Sequence, residues 1–287
     1  MFEAFREERV VTSGATIQLR VGGAGPPLLL LHGFPQTHLM WHRIAPELAR
    51  RYTVVCPDLR GYGASSKPPE GPDHAGYAKR AMALDQVETM AALGFDRFQV
   101  VGHDRGARVT HRLCLDHSQA IERACVIDIA PTLTMYERSD RAFATAYYHW
   151  FFLIQPAPLP ERLIGAASDW YIERTLGSWG GGYFDPAAVE AYKAAFGDPA
   201  TLHAACEDYR AAATIDLEHD RADAAKRIAC PLLVLWGAKG VVARTYDVLA
   251  TWREKALEVQ GGALPGGHFL PEECPQETLE ALRQFLI

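Results

Sequence analysis

Phe98-Gln-Val-Val-Gly-His-Asp-Arg-Gly-Ala-Arg-Val-Thr110 is the stretch whose reading decides the fold. An apolar run, Phe98–Val101, enters Gly102-His-Asp-Arg-Gly106, and a helix-forming segment follows. Small-x-polar-x-small between strand and helix marks a tight turn that lifts its central side chain clear of a sheet. The central residue here is Asp104. Similar runs flank it: Pro27-Leu-Leu-Leu-Leu31 enters His32-Gly-Phe-Pro35, and Tyr52-Thr-Val-Val-Cys56 enters Pro57-Asp58. Ala124-Cys-Val-Ile-Asp128 and Pro231-Leu-Leu-Val-Leu-Trp236 come later. Short apolar runs bounded by turns read as buried parallel strands. Helical stretches at Tyr77–Leu93 and Arg105–Leu115 lie between them. The class is therefore α/β, with a mostly parallel central sheet flanked by helices. In such sheets the functional groups sit in the turns after the strands' C-terminal ends.

The alternation stops between Leu133 and Ile215, a stretch of aromatics and helix formers such as Phe143-Ala-Thr-Ala-Tyr-Tyr-His-Trp-Phe-Phe152. We read residues 133–215 as a helical cap inserted over the strand ends, with 1–132 and 216–287 forming the core.

Composition bounds the function. The 287 residues are 48% hydrophobic and 22% charged, an ordinary balance for a globular chain. A net charge of −6 gives no global attraction to nucleic acid or an anionic membrane, so any bound anion needs local cations. Apolar stretches such as Tyr147–Ile154 are too short to span a bilayer, and the acidic segment Met1–Glu8 predicts no secretory leader. Six scattered cysteines without a C-x-x-C pair predict core thiols and a reduced, cytoplasmic setting. His38-x-x-x-His42 has metal-like spacing but no third ligand, so no metal is expected.

The chemistry gathers around Asp104. A carboxylate at such a turn is a nucleophile that forms an ester by displacing a leaving group at saturated carbon. The ester must then be opened by water, and the late His268, in Pro265-Gly-Gly-His-Phe269, is the expected general base. The acid that orients it should follow a strand. Trp236-Gly-Ala-Lys-Gly240 has no acid, so Asp128 is the expected partner. The backbone N–H groups of Phe34 and Arg105 are candidates for an oxyanion hole. Arg105 and Arg108 flank the nucleophile, and two guanidinium groups there fit a carboxylate on the substrate.

These residues resemble the haloacetate dehalogenases of the α/β-hydrolase fold, and the fluoroacetate dehalogenases closely. The likeness runs over nearly the whole chain, through His32-Gly-Phe-Pro-Gln-Thr37, Asp58-Leu-Arg-Gly-Tyr-Gly63, Gly102-His-Asp-Arg-Gly106, Tyr148-His-Trp-Phe-Phe152, Glu207-Asp-Tyr-Arg210 and Gly266-Gly-His-Phe-Leu-Pro271. It implies hydrolysis of short 2-haloacids to glycolate and halide, without a cofactor. It assigns His149, Trp150 and Tyr209 as donors to the departing halide, Trp179 as pocket-lining, and a homodimer. The turn helix Gly106-Ala-Arg-Val-Thr110 lacks the second glycine and smaller residues expected of the family, which predicts a tighter pocket floor. An epoxide hydrolase would share the Asp nucleophile and cap tyrosine, but has no use for two arginines. A haloalkane dehalogenase is disfavoured by the same charges. A non-catalytic receptor would have no need of the nucleophile, base and acid together.

Overall fold

The structure, a computed structural model, describes residues 1–181 and 183–287; Gly182, in the run Gly180-Gly-Gly182, lies outside them. Eight strands form one sheet: β1 (Arg6–Val11), β2 (Thr16–Gly22), β3 (Pro27–Leu31), β4 (Thr53–Pro57), β5 (Phe98–His103), β6 (Ile121–Ile127), β7 (Leu232–Gly237) and β8 (Val259–Leu264). Their order is β1-β2-β4-β3-β5-β6-β7-β8. β1 and β2 pair antiparallel, β2 meets β4 antiparallel, and all later pairs are parallel.

Five of these strands are apolar runs in the sequence, because a strand covered on both faces must be apolar at every position. Leu29, Leu31, Val100 and Val126 pack into one core cluster, while Leu28, Leu30, Val101 and Ile127 pack into a second. Alternate residues thus feed the two layers, as the period of two requires. Of the other three strands, β1 and β8 are the sheet's edges, and β2 lies between β1 and β4. β1 exposes Arg6, Glu7 and Arg9 and buries only Val10, and β8 reads Val-Gln-Gly-Gly-Ala-Leu with no buried residue. The strand preceding the His268 loop is β8.

The expected helices appear at Lys79–Ala92 and Arg105–Asp116. The first begins two residues late because Pro72–Tyr77 forms a separate 3-10 turn. Between β6 and β7 the described residues hold eight helices, from Thr132–Glu137 to Ile215–Ala222, and no strand. The six cysteines are free thiols, all but Cys230 fully buried. Among the described residues no helix is long and apolar enough to cross a membrane.

Candidate active site

Strand register brings the chemistry together. His103 of β5 pairs with Ile127 of β6, which pairs with Leu235 of β7. Asp104 and Asp128 are the next residues, so they emerge side by side at the sheet's C-terminal edge. Both have positive φ, +46° and +52°. A non-glycine residue in that region carries strain that the surroundings must hold. At Asp104 the hold is visible. A Cβ on Gly106 would lie 2.4 Å from the His32 carbonyl oxygen, and one on Gly102 would lie 2.4 Å from the Gly106 carbonyl oxygen. Only glycine lets strand and helix meet this closely.

The Asp104 carboxylate is divided between two neighbours. Its Oδ1 accepts the Phe34 backbone N–H at 3.0 Å. Its Oδ2 lies 3.9 Å from His268 Nε2, a buried nitrogen with no hydrogen-bond partner among the described residues. His268 Nδ1–H donates to Asp128 Oδ2 at 2.6 Å, and Asp128 Oδ1 accepts the Gly237 N–H at 2.9 Å. Burial works to raise the Asp104 carboxyl, but the neighbouring His268, Arg105 and Arg108 charges outweigh it and hold it below the usual carboxylate range. Burial would lower His268; the Asp128 hydrogen bond and charge, with the Asp104 charge, carry it above its ordinary value. The Arg105 N–H opens the helix Arg105–Asp116, among the amides left without an intrahelical acceptor.

Arg105 and Arg108 are buried in the same place, 0% and 3% exposed, but are paired differently. Arg105 donates from Nε and Nη2 to the Asp208 carboxylate at 2.9 and 2.7 Å, and its guanidinium lies 4.2 Å over the Tyr209 ring. Arg108 donates to Thr132 Oγ1 at 2.8 Å and lies 4.6 Å over the Trp150 ring. No carboxylate among the described residues comes within ion-pair distance of Arg108. Burial and the Arg105 charge hold its guanidinium below the usual range.

The four aromatic residues assigned by resemblance converge on the same point. The His149 ring is 4.1 Å from Trp179, 5.7 Å from Tyr209 and stacked at 6.3 Å on Phe34. Trp150 meets Tyr209 edge-on at 6.5 Å. Trp179 also stands 5.7 Å from the His268 ring, and its carbonyl accepts the His268 backbone N–H at 3.0 Å. His149 is held well below its ordinary pKa by burial, so it is neutral and has one N–H to give. Thr110 sits beneath Gly102 of β5, where a Cβ would lie 2.4 Å from its Oγ1, and Ala107 and Val109 face the core.

The alpha/beta hydrolase fold family matches residues 26–273. The chain belongs to that family. Fluoroacetate dehalogenase from Burkholderia sp is 49% identical over 289 aligned residues, covering 100% of this chain and 95% of the relative. Soluble epoxide hydrolase from Corynebacterium sp. (strain C12) is 31% identical, covering 96% of each. The crystal structure of ALR0039 from Nostoc sp PCC 7120 is 58% identical, with a TM-score of 0.99 and coverage of 100% and 99%. A surface groove of about 420 Å³ in this hydrolase, beside Leu233, Gln260, Ala263 and Phe285, is lined by no titratable side chain and includes none of Asp104, Asp128 and His268. No group of three or more His, Cys, Asp or Glu among the described residues is placed to hold a metal ion.

Three neighbours of the site escaped the sequence reading. His103, pushed down to about 3 by burial, donates from Nε2 to the His268 carbonyl at 2.9 Å. Glu273 accepts the N–H groups of Gly267 and Phe269 at 2.9 and 2.7 Å, bracketing His268. Glu272 is buried, where it accepts from Gln36 and from Tyr192 at 3.2 Å. Spacing does not reveal these residues, because each acts through a loop that tertiary structure places.

Glu272 has a measurable consequence. Burial pushes its carboxyl up to about 8, from an ordinary 4.5. The folded state then retains a proton that the unfolded chain releases. The associated stability is complete below pH 4.5 and drains away as pH rises toward 8. Glu272→Gln should therefore match the wild type near the acid end and melt higher above pH 8, by roughly 2–4 °C for each kcal/mol relieved. Melting curves across this range check it; a constant offset would mean that Glu272 is ionised throughout.

Proposed function

We propose that this hydrolase releases halide from short 2-haloacids, fluoroacetate among them, and yields glycolate through an ester on Asp104. The observation that carries the reading is a pair of buried arginines beside the nucleophile, one of them without an acidic partner. A buried cation left unpaired is costly, and a substrate carboxylate would supply the missing charge. The Burkholderia relative, a fluoroacetate dehalogenase, supports the same assignment.

In this mechanism Arg105 and Arg108 hold the carboxylate so that Cα faces Asp104 Oδ2, the oxygen not engaged by Phe34. Oδ2 attacks Cα, the carbon–halogen bond breaks, and halide departs toward His149, Trp150 and Tyr209. Esterification removes the Asp104 charge, one of the influences raising His268, so the imidazole becomes readier to act as a base. His268, oriented by Asp128, takes a proton from water as it attacks the Asp104 carboxyl carbon. The Phe34 and Arg105 N–H groups stabilise the oxyanion, and collapse releases glycolate.

The reading includes a cap formed by residues 133–215 over a core of 1–132 and 216–287, and a cytoplasmic homodimer that needs no cofactor. Light scattering on the purified enzyme checks the dimer. Halide release from fluoroacetate and chloroacetate, with an epoxide as control, checks the reaction. Diol formation from the epoxide without halide release would favour the activity of the Corynebacterium relative, a soluble epoxide hydrolase.

The halide donors make a separate prediction. Fluoride leaves late and with concentrated charge, so it depends most on preorganised donors, each worth roughly 2.7–4 kcal/mol when charge is fully developed. Trp150→Phe, Tyr209→Phe and His149→Ala should each lower the single-turnover rate on fluoroacetate far more than on chloroacetate. Equal losses on the two substrates would reduce the trio to pocket walls.

A further inference from the structure

We propose that Asp208 is a positioning residue that locks Arg105 from behind, leaving only its Nη1 edge for the substrate carboxylate. The inference rests on the haloacid reading and deepens it. Arg105 has five N–H donors. Asp208 takes three: Nε–H to Oδ2 at 2.9 Å, one Nη2–H to Oδ1 at 2.7 Å, and one Nη2–H to the backbone carbonyl at 2.8 Å. Nη1 remains, buried and without a partner among the described residues.

The lock is itself anchored. Asp208 also accepts from the Tyr62 hydroxyl at 2.8 Å and from the buried Lys79 ammonium. Lys79 lies 3.6 Å from Asp216, so the charges behind Arg105 alternate in sign. Asp208 and Tyr209 are consecutive on the helix Pro199–Ala213. One grips the edge of the guanidinium and the other covers its face, so a single helix sets both Arg105 and the proposed halide donor.

Arg108 complements this arrangement. Its Nη1 donates to Thr132 Oγ1 and the Ala130 carbonyl, and Nη2 approaches Met135 Sδ, but Nε has no partner among the described residues. The clamp is therefore asymmetric. Arg105 is held in place before substrate arrives, whereas Arg108 retains a free Nε–H to engage it.

Glycolate, the proposed product, serves as the carboxylate probe, with its affinity measured by calorimetry on the full chain. Asp208→Asn should weaken glycolate binding about tenfold or more and raise KM for chloroacetate more than it lowers kcat. On an Arg105→Ala background the same substitution should leave glycolate affinity within about twofold, because nothing remains for Asp208 to position. Equal effects on both backgrounds would reduce Asp208 to a structural role. Unchanged affinity in the single variant would also overturn the proposal.

Should Asp208→Asn fail to fold, arginine-labelled wild type gives the answer by NMR. The Arg105 Nε–H signal, assigned by its loss in Arg105→Lys, should be protected before glycolate is added and unmoved afterwards, while the Arg108 signal shifts. A shift of the Arg105 signal on binding would refute the lock. Wild-type enzyme that binds glycolate but releases no halide would defeat the dehalogenase reading alone. Wild-type enzyme that binds no glycolate would defeat the clamp and the lock together.

Discussion

His268→Asn should release about one equivalent of halide per active site and then stop, with a carboxymethyl ester left on Asp104. The two halves of the reaction make different demands on the site. Displacement needs an ionised Asp104, and its carboxyl is held below the usual range by neighbouring cations that include both arginines as well as His268. Hydrolysis needs a base beside the ester. His268 Nε2 is 3.9 Å from Asp104 Oδ2, too far for a direct hydrogen bond, and has no other partner among the described residues. Asparagine can occupy the space but cannot take the proton. General-base catalysis contributes about 10²–10⁴-fold, so turnover should fall by at least that range while the first displacement survives. Rapid-mix halide detection should show the burst, and intact mass should show the added group. Asp104→Asn should show neither. Steady halide release by His268→Asn near the wild-type rate would rule out this division of labour.

The parts of the site carried by local sequence were legible before the fold. Gly102-His-Asp-Arg-Gly106 identifies itself because strand, tight turn and helix are contiguous, and the close approaches at Gly102 and Gly106 demand glycine. Asp128 could be selected because it directly follows an apolar strand, and it accepts the His268 Nδ1–H at 2.6 Å. β1, β2 and β8 carried weaker signals. β1 and β8 are edge strands and need no continuous apolar run, β8 contains two glycines, and β2, though paired on both sides, alternates polar and apolar residues in Thr16-Ile-Gln-Leu-Arg-Val21. Asp208 stood in the quoted run Glu207-Asp-Tyr-Arg210, yet its role depends on packing that brings positions 105 and 208 together. Glu273 is similar: the two N–H groups it accepts around His268 are loop geometry, for which sequence offers no period. The His149, Trp150, Tyr209 and Trp179 convergence came from resemblance. Aromatic residues on helices ordinarily read as core, and Trp150 and Tyr209 are indeed almost wholly buried.

Arg108→Met should cost activity and gain stability, and the opposite signs are the diagnostic. Arg108 is buried beside a second cation, its polar contacts are neutral groups, and the Arg105 charge adds to burial in pushing its guanidinium down. Replacing buried charges with apolar residues of similar volume is often neutral or stabilising by about 1–4 kcal/mol. Methionine fills much of the same space against Trp150 and Met135. For a chain of this size that implies a Tm increase of roughly 2–4 °C per kcal/mol. The loss of function follows from the same isolation. With Asp208 already committed to Arg105, Arg108 in the proposed clamp would supply the charge that the substrate carboxylate balances, through charge-assisted bonds worth about 1.5–3 kcal/mol. Removing them should lower kcat/KM for chloroacetate by about 10–150-fold. Arg108→Lys should recover little, because an ammonium lacks the planar fork. Thermal melts and chloroacetate kinetics on the same preparations test both signs. A variant that loses stability together with activity would make Arg108 a structural residue, whereas unchanged kinetics would remove it from the clamp.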